Sequence, residues 1–503
     1  MRAFITRIPF IMIALVPLVG CAVGPDFKKP DTAAPDRYTE APLPAQTVAT
    51  ASKTGEAQKF VFTEDLQGQW WTLFGSPELD AMIKKGIEQN PSLAAAQAAL
   101  RKSEQDLRAA QGSILFPAVN ANLQASKQRT SGNAGMGDSN TYSLYNASVA
   151  VSYTLDIFGG GRRQMESYRA QVDYQRFMVE AAYLTLTSNI VTTAITEASL
   201  RGQIEATREI IASEEKQLDV LDRQFELGAV SKASVLSQET QLAMTRAGLP
   251  PLEKQLDLTR HALAVLTGQF PGGANPFQFS LDSLQLPKEI PLSLPSALAR
   301  QRPDIQASEA LLHQACAAVG VATANLYPQI TLSAGYGYQA ISTDILFNGQ
   351  SLIWNIGAGL LQPVFRGGEL IAKRRSAVAA YDQAAAQYRQ TVLKAFQDVA
   401  DVLIALQTDA RTLQAQMQAQ AAAQAALGLI EKQYELGAVN FSTLLIAKRD
   451  YQKARINVIA ARAQRHSDTA ALFAALGGGW WNREPASDEK LKKQSLNEVM
   501  KND

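Results

Sequence analysis

The chain has 503 residues, 46% of them hydrophobic and 19% charged, with a formal net charge of +1. That length can bury a large core and hold roughly two to four domains, while the near-neutral charge gives no reason to expect nucleic acid as a partner. Two cysteines and three scattered histidines (His261, His313, His466) cannot build a zinc site of the usual kind, and no phosphate loop, nucleophile elbow or His-Glu-x-x-His motif occurs. No catalytic residue, metal or cofactor is therefore expected.

At the N-terminus Arg2 and Arg7 flank a short charged region, an apolar run follows from Ile8 to Val19, and "LVGC" closes it at Cys21. This reads as a signal peptide over 1–20, because the apolar run is too short to span a bilayer as a helix. Gly20-Cys21 resembles a bacterial lipobox, which implies cleavage before Cys21 and acylation of its thiol. Ala22, in place of an aspartate, favours the outer membrane by analogy with lipoprotein sorting. The segment 21–59 is rich in Pro, Ala and Thr without apolar period and reads as a lipidated, extended linker. Cys316, the other cysteine, lies in a helical pattern and reads as a small core residue.

Beyond the linker the sequence duplicates itself. "QFELGAV" at 224–230 returns as "QYELGAV" at 433–439, "NPSLAAAQAAL" from Asn90 resembles "RPDIQASEALL" from Arg302, and "LFPAVNANLQAS" from Leu115 resembles "LYPQITLSAGYG" from Leu326. Two units follow, 60–270 and 271–480, with a polar tail at 481–503 that is expected to be disordered.

In the first unit the segment from Arg162 to Leu227 lacks proline, and Phe177, Ala181, Leu184, Ser188, Val191, Ile195 and Ala198 step by alternating fours and threes. The segment from Glu369 to Leu436 does the same through Tyr381, Ala385, Tyr388, Val392, Ala395, Val399, Val402 and Leu406. These are coiled-coil seams, and at about 1.5 Å per residue each helix is ~100 Å long. The shorter helices at 91–115 and 231–267, laid end to end, nearly match that length, which predicts a hairpin whose second leg is a stacked pair. The Gly-Ala-Val turns then form its tip, each ended by a glycine that can take the left-handed conformation. Gly248-Leu249-Pro250-Pro251 should kink the return helix of the first unit.

At the other end of the hairpins the period becomes two. Val119, Ala121, Leu123 and Ala125 alternate with Asn120, Asn122, Gln124 and Ser126, and Tyr145 to Ile157 alternates over a membrane-spanning length. Ile330 to Tyr338 and Trp354 to Leu360 give two more strands, so strand pairs are expected within 117–157 and 328–365. A soluble sandwich would show the same alternation. No apolar run long enough for a spanning helix follows Cys21, so any span must be β. Four strands are too few to close around a lumen, since bacterial barrels need at least ~8, so a barrel would be shared between subunits.

The stretches "CAVGPDFKKP" (21–30), "WWTLFGSPELD" (70–80), the two "ELGAV" turns, "PPLEKQLDLTRHALAVLTG" (250–268) and "AALGGGW" (474–480) together resemble the NodT/OprM branch of TolC-like outer-membrane efflux lipoproteins. The resemblance implies an α+β membrane protein: a homotrimer whose four strands per subunit make a twelve-stranded β-barrel, continuous with a long periplasmic α-barrel. Mixed equatorial segments would fall near 60–90, 268–302 and 470–490. The implied role is the passive exit duct of a tripartite efflux pump in the outer membrane of a Gram-negative bacterium. Its implied partners are outer-membrane lipid, a periplasmic adaptor and an inner-membrane transporter of the resistance-nodulation-division type, with drugs or other small toxic compounds as cargo. A type I secretion duct, a trimeric coiled-coil adhesive protein and, more distantly, a periplasmic hydrolase are the alternatives.

The adaptor would meet the tips, Gly228, Ala229, Val230, Gly437, Ala438 and Val439. Relatives carry aspartates just past the second tip, where three-fold symmetry makes a carboxylate ring. The matching positions here are Thr443 and Ile446, with Ser442 beside them and Ser234 as the first-unit counterpart, so the resemblance implies an uncharged gate that closes by apolar contact and dewetting. Asp398 or Asp401 is the alternative gate.

Overall fold

The computed structural model describes residues 22–30, 37–51, 54–62, 65–131, 140–273 and 277–483. The signal segment, Cys21, most of the first inter-strand loop and the tail after Arg483 lie outside them. In chain order the elements are β1 (Lys59–Val61), a short helical turn (Trp70–Phe74), α1 (Pro77–Gln89), α2 (Pro91–Leu115), β2 (Ala118–Arg129), β3 (Thr141–Leu155), α3 (Gly160–Glu226), α4 (Lys232–Leu266), β4 (Glu289–Pro291), α5 (Pro295–Gln301), α6 (Pro303–Ala324), β5 (Gln329–Ala340), β6 (Leu352–Leu361), α7 (Glu369–Glu435) and α8 (Phe441–Ala475). One run of elements thus occurs twice, down to equal lengths: α3 and α7 have 67 residues each, α4 and α8 have 35.

The chain forms two compact units. The first comprises the described part of Met1–Lys29 with Lys102–Asp173 and Ala310–Ala386. Its centre is an antiparallel sheet in the order β2-β3-β5-β6, so the strand pairs from the two halves of the sequence meet through β3 and β5. The register stacks like on like. Val119–Val151–Ala334–Ile356 and Ala121–Val149–Tyr336–Trp354 form apolar rows, alternating with Asn120–Ala150–Gly335–Asn355 and Asn122–Ser148–Gly337–Ile353, where Ile353 is the one large apolar member. The apolar face is bare: Val119, Leu123, Trp354 and Ile356 are all exposed. Among the described residues the outer edges of β2 and β6 have no strand partner.

Along this unit runs the start of the N-terminal segment. Val23 N donates to Phe158 O (3.1 Å), and Phe27 stacks on the His313 ring at 4.3 Å. Arg163 donates through Nη2 to Asp26 (2.6 Å) and through Nη1 to Glu166 (2.8 Å). Burial alone would raise Glu166, yet its hydrogen bonds to Arg163 and His313 hold the carboxyl below its usual range. Gly24 (φ 96°) lies so close to Gly320 of α6 that a Cβ on it would fall 2.5 Å from the Gly320 Cα, so the strap needs glycine at 24, while a Cβ at Gly320 would press on the Arg163 side chain (2.7 Å).

The second unit comprises Pro30–Arg101, Tyr174–Glu309 and the described part of Gln387–Asp503. Val191, Ile195 and Ala198 of α3 and Ala395, Val399 and Leu406 of α7 are buried, as a seam requires. The two legs of each hairpin's return side abut in the same way. Asn90, just before α2, donates from Nδ2 to Leu266 O at the end of α4 (2.9 Å). Arg302, just before α6, donates from Nη1 to Ala475 O at the end of α8 (3.1 Å). Each satisfies a carbonyl that a helix end leaves orphaned. The kink expected at Gly248 to Pro251 does not interrupt α4, which continues through both prolines as one helix. Arg246 and Ala247, whose carbonyls lose their amide partners there, are exposed, so water can serve them.

The segment read as a linker is built partly into this unit. Thr47, Thr54 and Gln58 are buried, and the fully buried Arg465 of α8 donates to Thr54 O (3.1 Å), Thr47 Oγ1 (3.1 Å) and Glu56 O (2.7 Å). Next to it Trp70, Trp71, Phe74 and Phe473 form an aromatic core.

Candidate tip and gate residues

Each tip is a helix end that hydrogen bonding dictates. Gly228 has φ 74° and Gly437 φ 72°. At the first tip Ala229 N donates to Gln224 O (2.8 Å) and Gly228 N to Phe225 O (2.9 Å); at the second Ala438 N donates to Gln433 O (2.8 Å) and Gly437 N to Tyr434 O (2.9 Å). This pair of bonds is the Schellman arrangement, which needs a left-handed residue at the glycine position. The next helix starts at once. Ser231 Oγ accepts from Ser234 N (3.3 Å) and Asn440 Oδ1 from Thr443 N (2.9 Å), caps that stabilise each helix start by about 1 kcal/mol.

The six tip residues differ in exposure. Gly228, Ala229, Gly437 and Ala438 are exposed, whereas Val230 and Val439 are half-buried. Val230 packs on a cluster of Leu221, Val235, Phe441 and Leu444, drawn from α3, α4 and α8, with Leu427, Ile430 and Tyr434 of α7 against it. The apolar surface at the turns belongs instead to Leu227 and Leu436, each 84% exposed. Both stand in the "ELGAV" motif, and their position one residue before the left-handed glycine was the available signal.

The gate residues are only partly alike. Thr443 Oγ1 donates to Asn440 Oδ1 (2.9 Å), and the Ser231 and Ser234 hydroxyls lie 3.2 Å apart, so two of the three predicted gate hydroxyls, Ser234 and Thr443, are engaged at helix caps. Ser442 is exposed, and Ile446 is 51% exposed between buried Leu444 and Ala447. Of the alternative acids, Asp398 is paired with Arg302 (3.1 Å) and Lys394 (3.1 Å), while the exposed Asp401 accepts from Gln397 Nε2 (3.2 Å).

Further up, two features absent from the sequence reading emerge. Asp409 of α7 and Asp468 of α8 face each other. Burial and the facing carboxyl push Asp409 up to about 7. On another face of α8 His466, wholly buried near the Phe74 ring, is driven down to about 4 by burial. Among the described residues no group of three or more His, Cys, Asp or Glu could hold a metal ion.

This pairing of duplicated helical hairpins with a sheet bare on its apolar face defines a class, and comparison with known proteins names it. The outer membrane efflux protein family matches residues 82–269 and 294–478, and the chain belongs to that family. The pyoverdine export outer membrane protein OpmQ of Pseudomonas aeruginosa is 33% identical over 422 residues, spanning 82% of this chain and 87% of the relative. Nodulation protein T of Rhizobium leguminosarum bv. viciae is 29% identical over 479 residues, 93% of each chain. The solved outer-membrane channel OprN superposes with a TM-score of 0.83 at 27% identity, covering 92% of this chain and 100% of that one. The chain is accordingly an efflux duct protein of the outer membrane, in a family of channels and not of enzymes.

Proposed function

We propose that three copies of this chain assemble into one duct, with a twelve-stranded barrel in the outer membrane and a barrel of helices in the periplasm, the two halves of the sequence (60–270 and 271–480) being an internal duplication. The observation that carries this reading is the bare sheet. An apolar face and two unpaired edges are stable only when lipid covers the face and other strands take the edges, and four strands alone are too few to enclose a lumen.

Acylated Cys21 anchors the strap that begins at Ala22. The tips meet a periplasmic adaptor, and an inner-membrane transporter of the resistance-nodulation-division type supplies the energy. The gate is the uncharged ring of Ser234, Ser442, Thr443 and Ile446. OpmQ is named for pyoverdine export, which supports a small exported compound as cargo here. A duct wide enough for water selects little, so the transporter sets the choice. Native mass measurement of detergent-extracted protein tests the assembly: a trimer is expected, and a monomer that still conducts contradicts it. Rescue of drug or siderophore export in a host lacking its own duct separates efflux from type I protein secretion.

A further inference from the structure

Beneath its sheet the first unit carries an open groove of about 610 Å³ with three walls. Cys316, Val319 and Thr323 line it from α6, and Arg374, Val378 and Tyr381 line it from α7. Each set steps by threes and fours, so one stripe of each helix faces the groove. The strap supplies the third wall through Gly24, Pro25, Asp26 and Lys28. Thr323 stands in the last turn of α6 and Arg374 in the second turn of α7, which puts the groove just below the strands that those helices adjoin. Its volume lies within the range of about 300–1,000 Å³ usual for ligand sites.

The charges on these walls do not cancel. Asp26 is taken by the Arg163 guanidinium (2.6 Å). Lys28 and Arg374 are exposed on the strap and on α7, and among the described residues neither makes an ion pair. Lys373, next to Arg374, is by contrast paired with Glu369. The strap also tells which side of the duct the groove is on. Val23 bonds Phe158 O where β3 gives way to α3, and acyl chains on Cys21 reach the bilayer only from outside the barrel, so the strap and its groove face lipid rather than lumen. At the same junction Val364 and Phe365, between β6 and α7, are 92% and 87% exposed. Lysine and arginine at that depth lay their stems on apolar surface and extend their charges to the headgroups.

We propose that this groove binds the headgroup of an anionic glycerophospholipid of the inner leaflet, its phosphate held between Lys28 and Arg374. An anionic headgroup is favoured over a zwitterionic one because a headgroup amine would meet two cations and no free carboxylate on these walls. Tyr381, two turns further along α7, offers its hydroxyl to the uncharged glycerol end of such a headgroup. The choice of face rests on the reading of Cys21 as acylated.

Native mass spectrometry of the purified full-length protein, delipidated and then titrated in detergent with phosphatidylglycerol or phosphatidylethanolamine, tests it. Wild type should retain phosphatidylglycerol in preference. Lys28→Gln and Arg374→Gln should each lower that retention about fivefold, the equivalent of ~1 kcal/mol for a cation near an anionic surface, and should leave phosphatidylethanolamine as it was. Arg375→Gln removes the same charge from the neighbouring residue of α7, which does not line the groove, and should change nothing. All three side chains are exposed, so the fold tolerates their loss. Equal retention of the two lipids by wild type overturns the site. So does a loss in Arg375→Gln as large as that in Arg374→Gln, which marks a diffuse surface charge. Inorganic phosphate at millimolar concentration should not displace the lipid, and displacement overturns the lipid as the occupant in favour of a free anion. The same spectra report the mass added at Cys21, so a failed anchor and a failed lipid site are distinguishable.

Discussion

Leu227 and Leu436 occupy the same place in the two helix turns, one residue before a left-handed glycine, and each is 84% exposed. Two large apolar side chains held out at a hairpin end mark a contact surface more than a cap, because the cap needs only the glycine. Leu227→Asp with Leu436→Asp leaves both turns intact and should abolish adaptor-dependent efflux while the trimer still forms. Full resistance in that double variant removes the tips from adaptor contact. Asp at Val230 is a poorer test, since Val230 packs on the apolar cluster and its loss perturbs the fold.

Cys21 should carry acyl chains. Intact-mass analysis of protein extracted from membranes is expected to show a diacyl or triacyl N-terminus beginning at Cys21, and Cys21→Ser should block that processing. An unmodified mature wild-type chain contradicts the anchor.

Arg163 should hold the strap that follows Cys21. Its guanidinium is buried and joins Asp26 to Glu166, so Arg163→Met leaves Glu166 with His313 as its remaining partner and should cost about 1.5 kcal/mol locally. Hydrogen exchange at the Val23 amide, which donates to Phe158 O, is expected to speed up. Unchanged protection there shows that Gly24 and Phe27 suffice.

The Asp409–Asp468 pair gives stability a pH dependence whose sign can be worked out. Asp409 rises from an ordinary 3.8 to about 7 in the fold, so the folded chain binds the extra proton. Its contribution is fully present below about 3.8 and is lost as pH rises through about 7. His466, lowered from 6.5 to about 4, works in the opposite direction: its contribution is present above about 6.5 and is lost as pH falls through about 4. The two overlap, so the wild-type melting curve alone cannot separate them. The difference between wild type and Asp409→Asn should grow steadily from about pH 4 to about pH 7 in favour of the variant. A flat difference means that Asp409 ionises normally.

Much of the fold was legible in the sequence because it rests on long periodic patterns. Without proline to break it, α3 or α7 could be read from seam spacing, and β2 and β3 from strict alternation, though the observed strands run from Ala118 to Arg129 and from Thr141 to Leu155. Contacts between distant helices were not legible. The pairing of Lys448 with Gln217 depends on the register of two helices 231 residues apart in the chain, and surface-type residues carry no periodic signal. For the same reason the burial of Thr47 and Gln58 was hidden: Arg465, which draws them in, looks like any helical arginine. At Pro250 and Pro251 α4 runs on unbroken, because exposed carbonyls let a helix carry prolines that a packed face would reject.

Single-channel conductance of the reconstituted protein is the most direct test of the duct and its proposed uncharged gate. Discrete, long-lived current steps are predicted, rare in wild type, more frequent in Ile446→Ser and little affected by millimolar divalent or trivalent cations. Absence of current steps in both proteins contradicts the duct, while strong cation block that Asp401→Asn abolishes contradicts the gate and transfers it to the carboxylate.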